Sequence, residues 1–323
     1  MTAAEVPLVE VVRGGLREGA HHGSAALVDA AGRVVRSVGP VDVPMYPRSS
    51  SKPAQAAGML RAGLDLSGPD LALVAASHNG EPEHVERVRA VLARCGLGPE
   101  HLGCPPDWPL RAAERDRVIA AGGGCQRLTM NCSGKHAGML MTCTLRGWST
   151  VDYLDPGHPL QEVLAETIGE LCGERPVHST VDGCGAPLHA MSLTGLARMF
   201  SRIAAGDGEP RRVADAVRAH PWWVAGTGRE DTLLMRAVPG LLSKMGAEGV
   251  IGLGLADGRA AAVKVSDGAG RARVPAAVAA LRGLGVDEIP GVDRGALDAL
   301  AEEPVTGGGQ RVGTVRALPG LLS

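Results

Sequence analysis

The chain has 323 residues, about two average domains or one large one. Its 33 basic and 35 acidic side chains leave a formal charge of −2, which excludes the basic excess of a dedicated nucleic-acid binder and gives no polybasic surface for an anionic membrane. Four Trp, two Tyr and one Phe are too few for stacking platforms, so the 45% apolar content has to pack as Ala, Val and Leu.

In chain order, the opening stretch has an early Glu5 and no basic run, which predicts no secretory signal. Pro7–Arg13, Ser24–Asp29 and Arg33–Val38 are short and Val-rich and predict strands, with a tight turn at Ala31-Gly32. From about 50 to 240 the periodicity becomes helical. Val85, Val88, Val91, Leu92 and Cys95 share one face over 84–95. Leu160, Val163, Leu164, Ile168 and Leu171 share another, after the breaker Asp155-Pro156-Gly157. Leu188, Met191, Met199, Phe200 and Ile203 predict a third apolar stripe. Val250–Leu255 and Arg259–Val265 flank Asp257-Gly258, a hairpin signal. A helix near 274–284 and a strand near 310–317 follow.

Strands at both ends and helices between them predict an α+β fold. One unit over 1–323 is expected, with an antiparallel sheet from about 1–45 and 245–320 and a helical part at about 50–240. The apolar runs are too short to span a membrane. Cys95, Cys104, Cys125, Cys132, Cys143, Cys172 and Cys184 are odd in number and form no C-x-x-C, which predicts free thiols in a reducing cytoplasm.

Two nucleotide signals fail. Ser133-Gly134-Lys135-His136 resembles the end of a P-loop, but Thr129 stands where the first glycine is needed and His136 replaces the magnesium-binding hydroxyl. Gly252-Leu253-Gly254 lacks a third glycine and a βαβ setting. Arg48-Ser49-Ser50-Ser51-Lys52-Pro53 is more informative. Ser49 and Lys52 are three apart at a predicted helix start, so they fall one turn apart on one face. A serine needs a base to attack, a lysine serves when its pKa is lowered, and a helix start offers N–H donors to an oxyanion. Alone, the same spacing gives a serine cap and a solvated lysine.

Two further pieces follow: the S-x-N element Ser77-His78-Asn79, and Lys264 at the end of the hairpin's second strand. A serine nucleophile, an S-x-N element and a strand lysine, in that order, are the parts of penicillin-binding-protein and β-lactamase sites, although valine rather than threonine follows Lys264. Separately, Cys132 and Cys184 lie in glycine-flanked settings. Two thiolates do not close a zinc site, so His136, Asp182 or Lys135 would have to complete it; otherwise both are buried structural thiols.

Together, Ser49-x-x-Lys52, Ser77-His78-Asn79-Gly80-Glu81, the block Asn131 to His136 and Asp182-Gly183-Cys184-Gly185-Ala186-Pro187 resemble the Rhizobium etli-type L-asparaginases, also called class 3 or asparaginase II. The similarity runs from Arg13-Gly14 to Lys264. It implies an amidohydrolase that converts L-asparagine to L-aspartate and ammonia, a fold related to serine β-lactamases, and a homodimer. By position, the resemblance makes Ser49 the nucleophile with Lys52 as its partner, and Ser77 with Lys264 a second Ser-Lys tandem. It gives zinc to Cys132, Lys135, Cys184 and a water, with Asp182 and His136 supporting zinc and substrate and Arg48 flanking the nucleophile. Two other readings share these residues: a penicillin-binding or esterase hydrolase of another substrate, and a non-catalytic zinc or amino-acid sensor. Arg13, Glu18 and His22 read as surface residues.

Overall fold

The computed structural model describes residues 4–322; the remaining residues of the expected unit, 1–3 and 323, lie outside the described part. The strands are β1 (Val6–Arg13), β2 (Leu16–Val28), β3 (Val34–Val38), β4 (Pro44–Met45), β5 (Ser179–Val181), β6 (Pro187–His189), β7 (Met191–Ser192), β8 (Leu242–Met245), β9 (Val250–Gly254), β10 (Ala260–Val265), β11 (Glu302–Gly307) and β12 (Gln310–Ala317). The helices are α1 (Lys52–Arg61), α2 (Gly68–Val74), α3 (Pro82–Arg94), α4 (Ala112–Ala120), α5 (Ser133–Arg146), α6 (Pro159–Cys172), α7 (Leu193–Ala205), α8 (Gly208–Ala219), α9 (Pro221–Val224), α10 (Glu230–Ala237), α11 (Gly270–Gly283) and α12 (Arg294–Leu300).

One antiparallel sheet, in the order β11-β12-β1-β2-β10-β9-β8, joins the two ends of the chain, with β3 also paired to β2. The α+β expectation therefore holds, with the helical part inserted between β4 and β8. Helix α11 packs on one face of the sheet and α7 on the other. With both faces covered, β9 and β10 are nearly continuous apolar runs rather than alternating ones. Small residues there let the helices come close. A Cβ at Gly252 would overlap the ring of Phe200, the only phenylalanine, which is fully buried on α7.

Helix α1 is the axis of the helical part. Every residue of it except Arg61 is buried, against α5, α6 and α8 among others. Its composition explains this: Ala54, Ala56, Ala57 and Gly58 present little bulk on any side, and Pro53 at the first turn gives up an N–H that has no helical partner.

Two expectations change in detail. Leu188 and Met191 sit on β6 and β7, so the third stripe is helical only from α7 onward. The strand β11 was not foreseen; its exposed, charged sequence carries no apolar alternation, and Gly308 and Gly309 turn it into β12. Arg13 and Glu18 pair at the exposed tip of the β1–β2 hairpin, and His22 is exposed. All seven cysteines are free, and among the described residues no helix is long and apolar enough to cross a membrane.

Gly252→Ala is expected to cost about 1–3 kcal/mol through overpacking, read as a lower unfolding midpoint, with part of the loss recovered by Phe200→Leu. A midpoint equal to the parent's would contradict the close approach of α7 to the sheet.

Candidate active site

The chain enters α1 through one tight 3₁₀ turn, Arg48–Ser51. Arg48 has φ +52°, a conformation that side chains with a Cβ rarely adopt. The three consecutive serines differ in what their hydroxyls do. Ser50 Oγ donates to the Pro47 carbonyl at 2.6 Å and Ser51 Oγ to the Arg48 carbonyl at 2.9 Å. Ser49 is half-buried, and its hydroxyl makes no hydrogen bond among the described residues. Only Ser49 therefore has a hydroxyl free to react.

Lys52 is fully buried. Its Nζ donates to the Ala76 carbonyl and to Ser77 Oγ at 3.0 Å, so the lysine of S-x-x-K reaches the serine of S-x-N. Ser77-His78-Asn79 follow α2, and backbone bonds tie them to Val224 and Asn131. Gly80 N–H donates to His78 Nδ1, so the proton sits on Nε2, which faces Ser133 Oγ at 2.9 Å. Burial first, then neighbouring positive groups, push the His78 pKa well down, which keeps the ring neutral. Asn79 donates to Glu81 Oε1 and to the Thr227 carbonyl, and accepts from Arg229 at 3.1 Å. Burial raises the Glu81 pKa, but hydrogen bonds from Thr227 and Asn79 outweigh it and hold the carboxyl below its usual range.

The second lysine of the cluster is Lys244 on β8, not Lys264. Lys244 is fully buried, with Nζ 3.5 Å from Asp231 Oδ2. Burial pushes its pKa down to about 8 against the pull of Asp231, and the charge of Lys52 lowers it further. Asp231 also accepts the Met245 N–H at 3.0 and 3.1 Å and the Ser243 hydroxyl at 2.8 Å, which locks β8. Gly246 then packs on the serine turn: a Cβ there would stand 2.5 Å from the Pro47 carbonyl oxygen and 3.2 Å from Ser50 N. Lys264 lies two strands further into the sheet, and its Nζ donates to the carbonyls of Glu248 at 2.7 Å and Val265 at 2.5 Å. Its ammonium is held at the end of the β8–β9 hairpin and makes no hydrogen bond to Ser77. The sequence did carry the signal: Lys244-Met245-Gly246 keeps the K-x-G spacing, which Lys264-Val265-Ser266 breaks. Asp231, Arg229 and Glu81 complete the cluster; Glu81 closes the Ser77 to Glu81 block, whereas Asp231 and Arg229 are single charged residues that offered no pattern to find.

The cysteine blocks also meet. Cys132 caps α5, which carries Lys135 and His136, while Cys184 and Asp182 come from the turn after β5. Lys135 Nζ donates to Cys184 Sγ at 3.1 Å, and Cys132 Sγ donates to Asn131 Oδ1 at 3.1 Å. The neighbouring Cys132 first, then Lys135, hold the Cys184 thiol down, while the neighbouring Cys184 and burial push Cys132 well up. Asp182 Oδ2 is 3.8 Å from Cys184 Sγ, and Asp182 Oδ1 accepts from Arg48 Nε at 2.7 Å, which joins this cluster to the serine turn. The Tyr153 hydroxyl accepts from Gly103 N–H and lies 2.7 Å from His136 Nδ1. His136 Nε2 is buried beside Cys184 without a well-formed hydrogen bond.

Among the described residues no three His, Cys, Asp or Glu side chains are grouped to hold a metal ion. The two sulfurs gain a third donor only from the Lys135 amine. Two thiolates and one nitrogen suit zinc and leave a position open.

The family model for L-asparaginase II matches residues 9–317. No curated protein matches the chain significantly. Solved structures similar to it include a β-lactamase of Bacteroides dorei (18% identity, 76% of this chain, 85% of that one, TM-score 0.38) and one of Mycobacterium bovis (17%, 86% and 94%, 0.40). A third is the native form of Mglu (17%, 83% and 65%, 0.35).

Removing the carboxylate in Asp231→Ala strands a buried ammonium, and a loss of about 3–5 kcal/mol in urea unfolding is expected. Adding Lys244→Met should return part of it. A double variant less stable than Asp231→Ala would show that the unpaired charge is not the cause.

Proposed function

The chain belongs to the L-asparaginase II family, and from that premise we propose that it hydrolyses L-asparagine to L-aspartate and ammonia through Ser49. The observation that supports this most is the convergence of three separated blocks: one free serine hydroxyl, Lys52 bonded to Ser77, and Lys244 beside Lys52.

In this reading Ser49 Oγ attacks the side-chain amide carbon and gives its proton to a neutral lysine amine. Backbone N–H groups at the start of α1 face the developing oxyanion. Collapse breaks the C–N bond, and the proton returns through Lys52 and the Ser77 hydroxyl to the leaving nitrogen. Ammonia departs, and Ser49 is left as an ester of the aspartyl side chain. Water then adds to the ester, a lysine takes its proton, and Ser49 is released with that proton restored. Lys244, brought close to neutrality by burial, keeps one amine of the pair available as a base. It takes the role that the resemblance gave to Lys264.

Cys132, Lys135 and Cys184 would hold zinc, with Asp182 and His136 in support, and the ion would supply positive charge for substrate binding. Every proton transfer above belongs to the chain's own residues. We extend the reading to a cytoplasmic homodimer, in keeping with the free thiols.

Ammonia release from L-asparagine and from L-glutamine, with and without added zinc, tests the reaction. Release from L-asparagine should vanish in Ser49→Ala with the fold intact, and should rise with pH through about 8 as Lys244 loses its proton. No release from a folded chain, together with covalent labelling by a β-lactam, would replace this reading with a hydrolase of another substrate. For the metal, Cys132→Ala should lower bound zinc in elemental analysis and weaken substrate affinity more than folding. Unchanged zinc stoichiometry would remove Cys132 from the site.

A further inference from the structure

Among the described residues, only Arg48 and Glu248 have a positive φ without being glycine, at +52° and +58°. Arg48 precedes Ser49. Glu248 lies in the turn between β8 and β9, two residues beyond Gly246, and Gly249 after it is also left-handed. Consecutive left-handed residues in a hairpin turn normally favour glycine, asparagine or aspartate, because a longer side chain with a Cβ strains there. The two strained residues face each other, with Arg48 Nη1 3.7 Å from Glu248 Oε1.

The surroundings hold Glu248 in that conformation. Lys264 Nζ donates to its carbonyl at 2.7 Å. Gly268 leaves room for it, since a Cβ there would come within 2.8 Å of Glu248 Oε2. Apart from the ion pair with Arg48, the carboxylate accepts no hydrogen bond among the described residues, and its side chain is 65% exposed. Asp182, on the other side of the same guanidinium, is 11% exposed and already bonded to Arg48 Nε. Backbone strain held in place by its neighbours clusters at functional sites, and a carboxylate with free lone pairs beside the serine turn can accept hydrogen bonds from a cation.

We infer that Glu248 takes the α-ammonium of the substrate, with Arg48 beside it facing the α-carboxylate, and that Lys264 is the residue that positions Glu248. This rests on the reading of the site as one for an amino-acid amide. An α-amino acid carries opposite charges on one carbon, and the Arg48–Glu248 pair presents opposite charges side by side.

Binding to Ser49→Ala, measured by calorimetry, compares L-asparagine with succinamate, the same amide without the amino group. Adding Glu248→Gln should weaken L-asparagine about tenfold and change succinamate less than about twofold. Equal loss for both ligands, or no loss for L-asparagine, would overturn the inference. Glu248→Gly relieves the strain, so it should unfold no more easily than the parent while losing the same preference. A glycine variant that keeps the preference would refute the role. Lys264→Met should reduce the preference in the same direction, and an unchanged preference would remove Lys264 from it. Ammonia release by the unsubstituted chain is read separately. A chain that releases none, but whose preference disappears in Glu248→Gln, would overturn the proposed reaction and uphold the recognition. Failure of Ser49→Ala to bind L-asparagine at all would overturn both.

Discussion

Burial of lysine governs this molecule. Lys52, Lys135 and Lys244 are all sealed from solvent in a core of Ala, Val, Leu and Met. Taking an ammonium out of water costs several kcal/mol unless partners replace its hydration. The three solve this differently. Lys244 has one carboxylate, Asp231; Lys135 has a thiol; Lys52 has a carbonyl and a hydroxyl and no carboxylate among the described residues. At Lys244 burial outweighs the pull of Asp231 and the charge of Lys52 adds to it, so the pKa of this amine falls to about 8. The same burial that burdens folding thus supplies the amine that the proposed reaction uses as a base.

The scaffold brings these groups together by keeping bulk away from them. Gly246 lets β8 lie against the serine turn, and Gly252 lets α7 lie against the sheet. The turn that carries Ser49 is therefore clamped between the edge strand and the buried α1. Cores this closely packed transmit small shifts, so substitutions at sheet glycines far from Ser49 bear on the alignment of the serine and lysines.

The legible parts of the sequence were the local ones. S-x-x-K could be read because a single turn sets the Ser49–Lys52 spacing, and the β9–β10 hairpin because Asp257-Gly258 marks its reversal. The ends-and-middle pattern of strands and helices carried the α+β assignment. The choice between Lys244 and Lys264 depended on strand order. Both lysines lie on strands of one sheet; the K-x-G spacing after Lys244 is the one local cue, and the placement of β8 at the edge, beside the serine turn, separates them in space. The thiols were visible as a pair, but their meeting with Lys135 depends on the packing of α5 against the turn that carries Cys184. Asp231 had no motif at all, since its role comes from accepting the N–H of Met245. Leu188 and Met191 fitted a helical stripe because both are buried and lie three apart, the spacing of one helical turn.

Arg48 connects the two halves of the site. Its guanidinium reaches Asp182, which borders Cys184, and faces Glu248 on the hairpin turn that Lys264 restrains. One strained residue therefore links the serine turn, the thiol cluster and the edge of the sheet. Strain of this kind persists only when several partners over-determine it. Here the partners are charged, and each lies more than a hundred residues from Arg48 in the chain. The geometry around Ser49 is thus a tertiary property, assembled only when the helical part has closed onto the sheet.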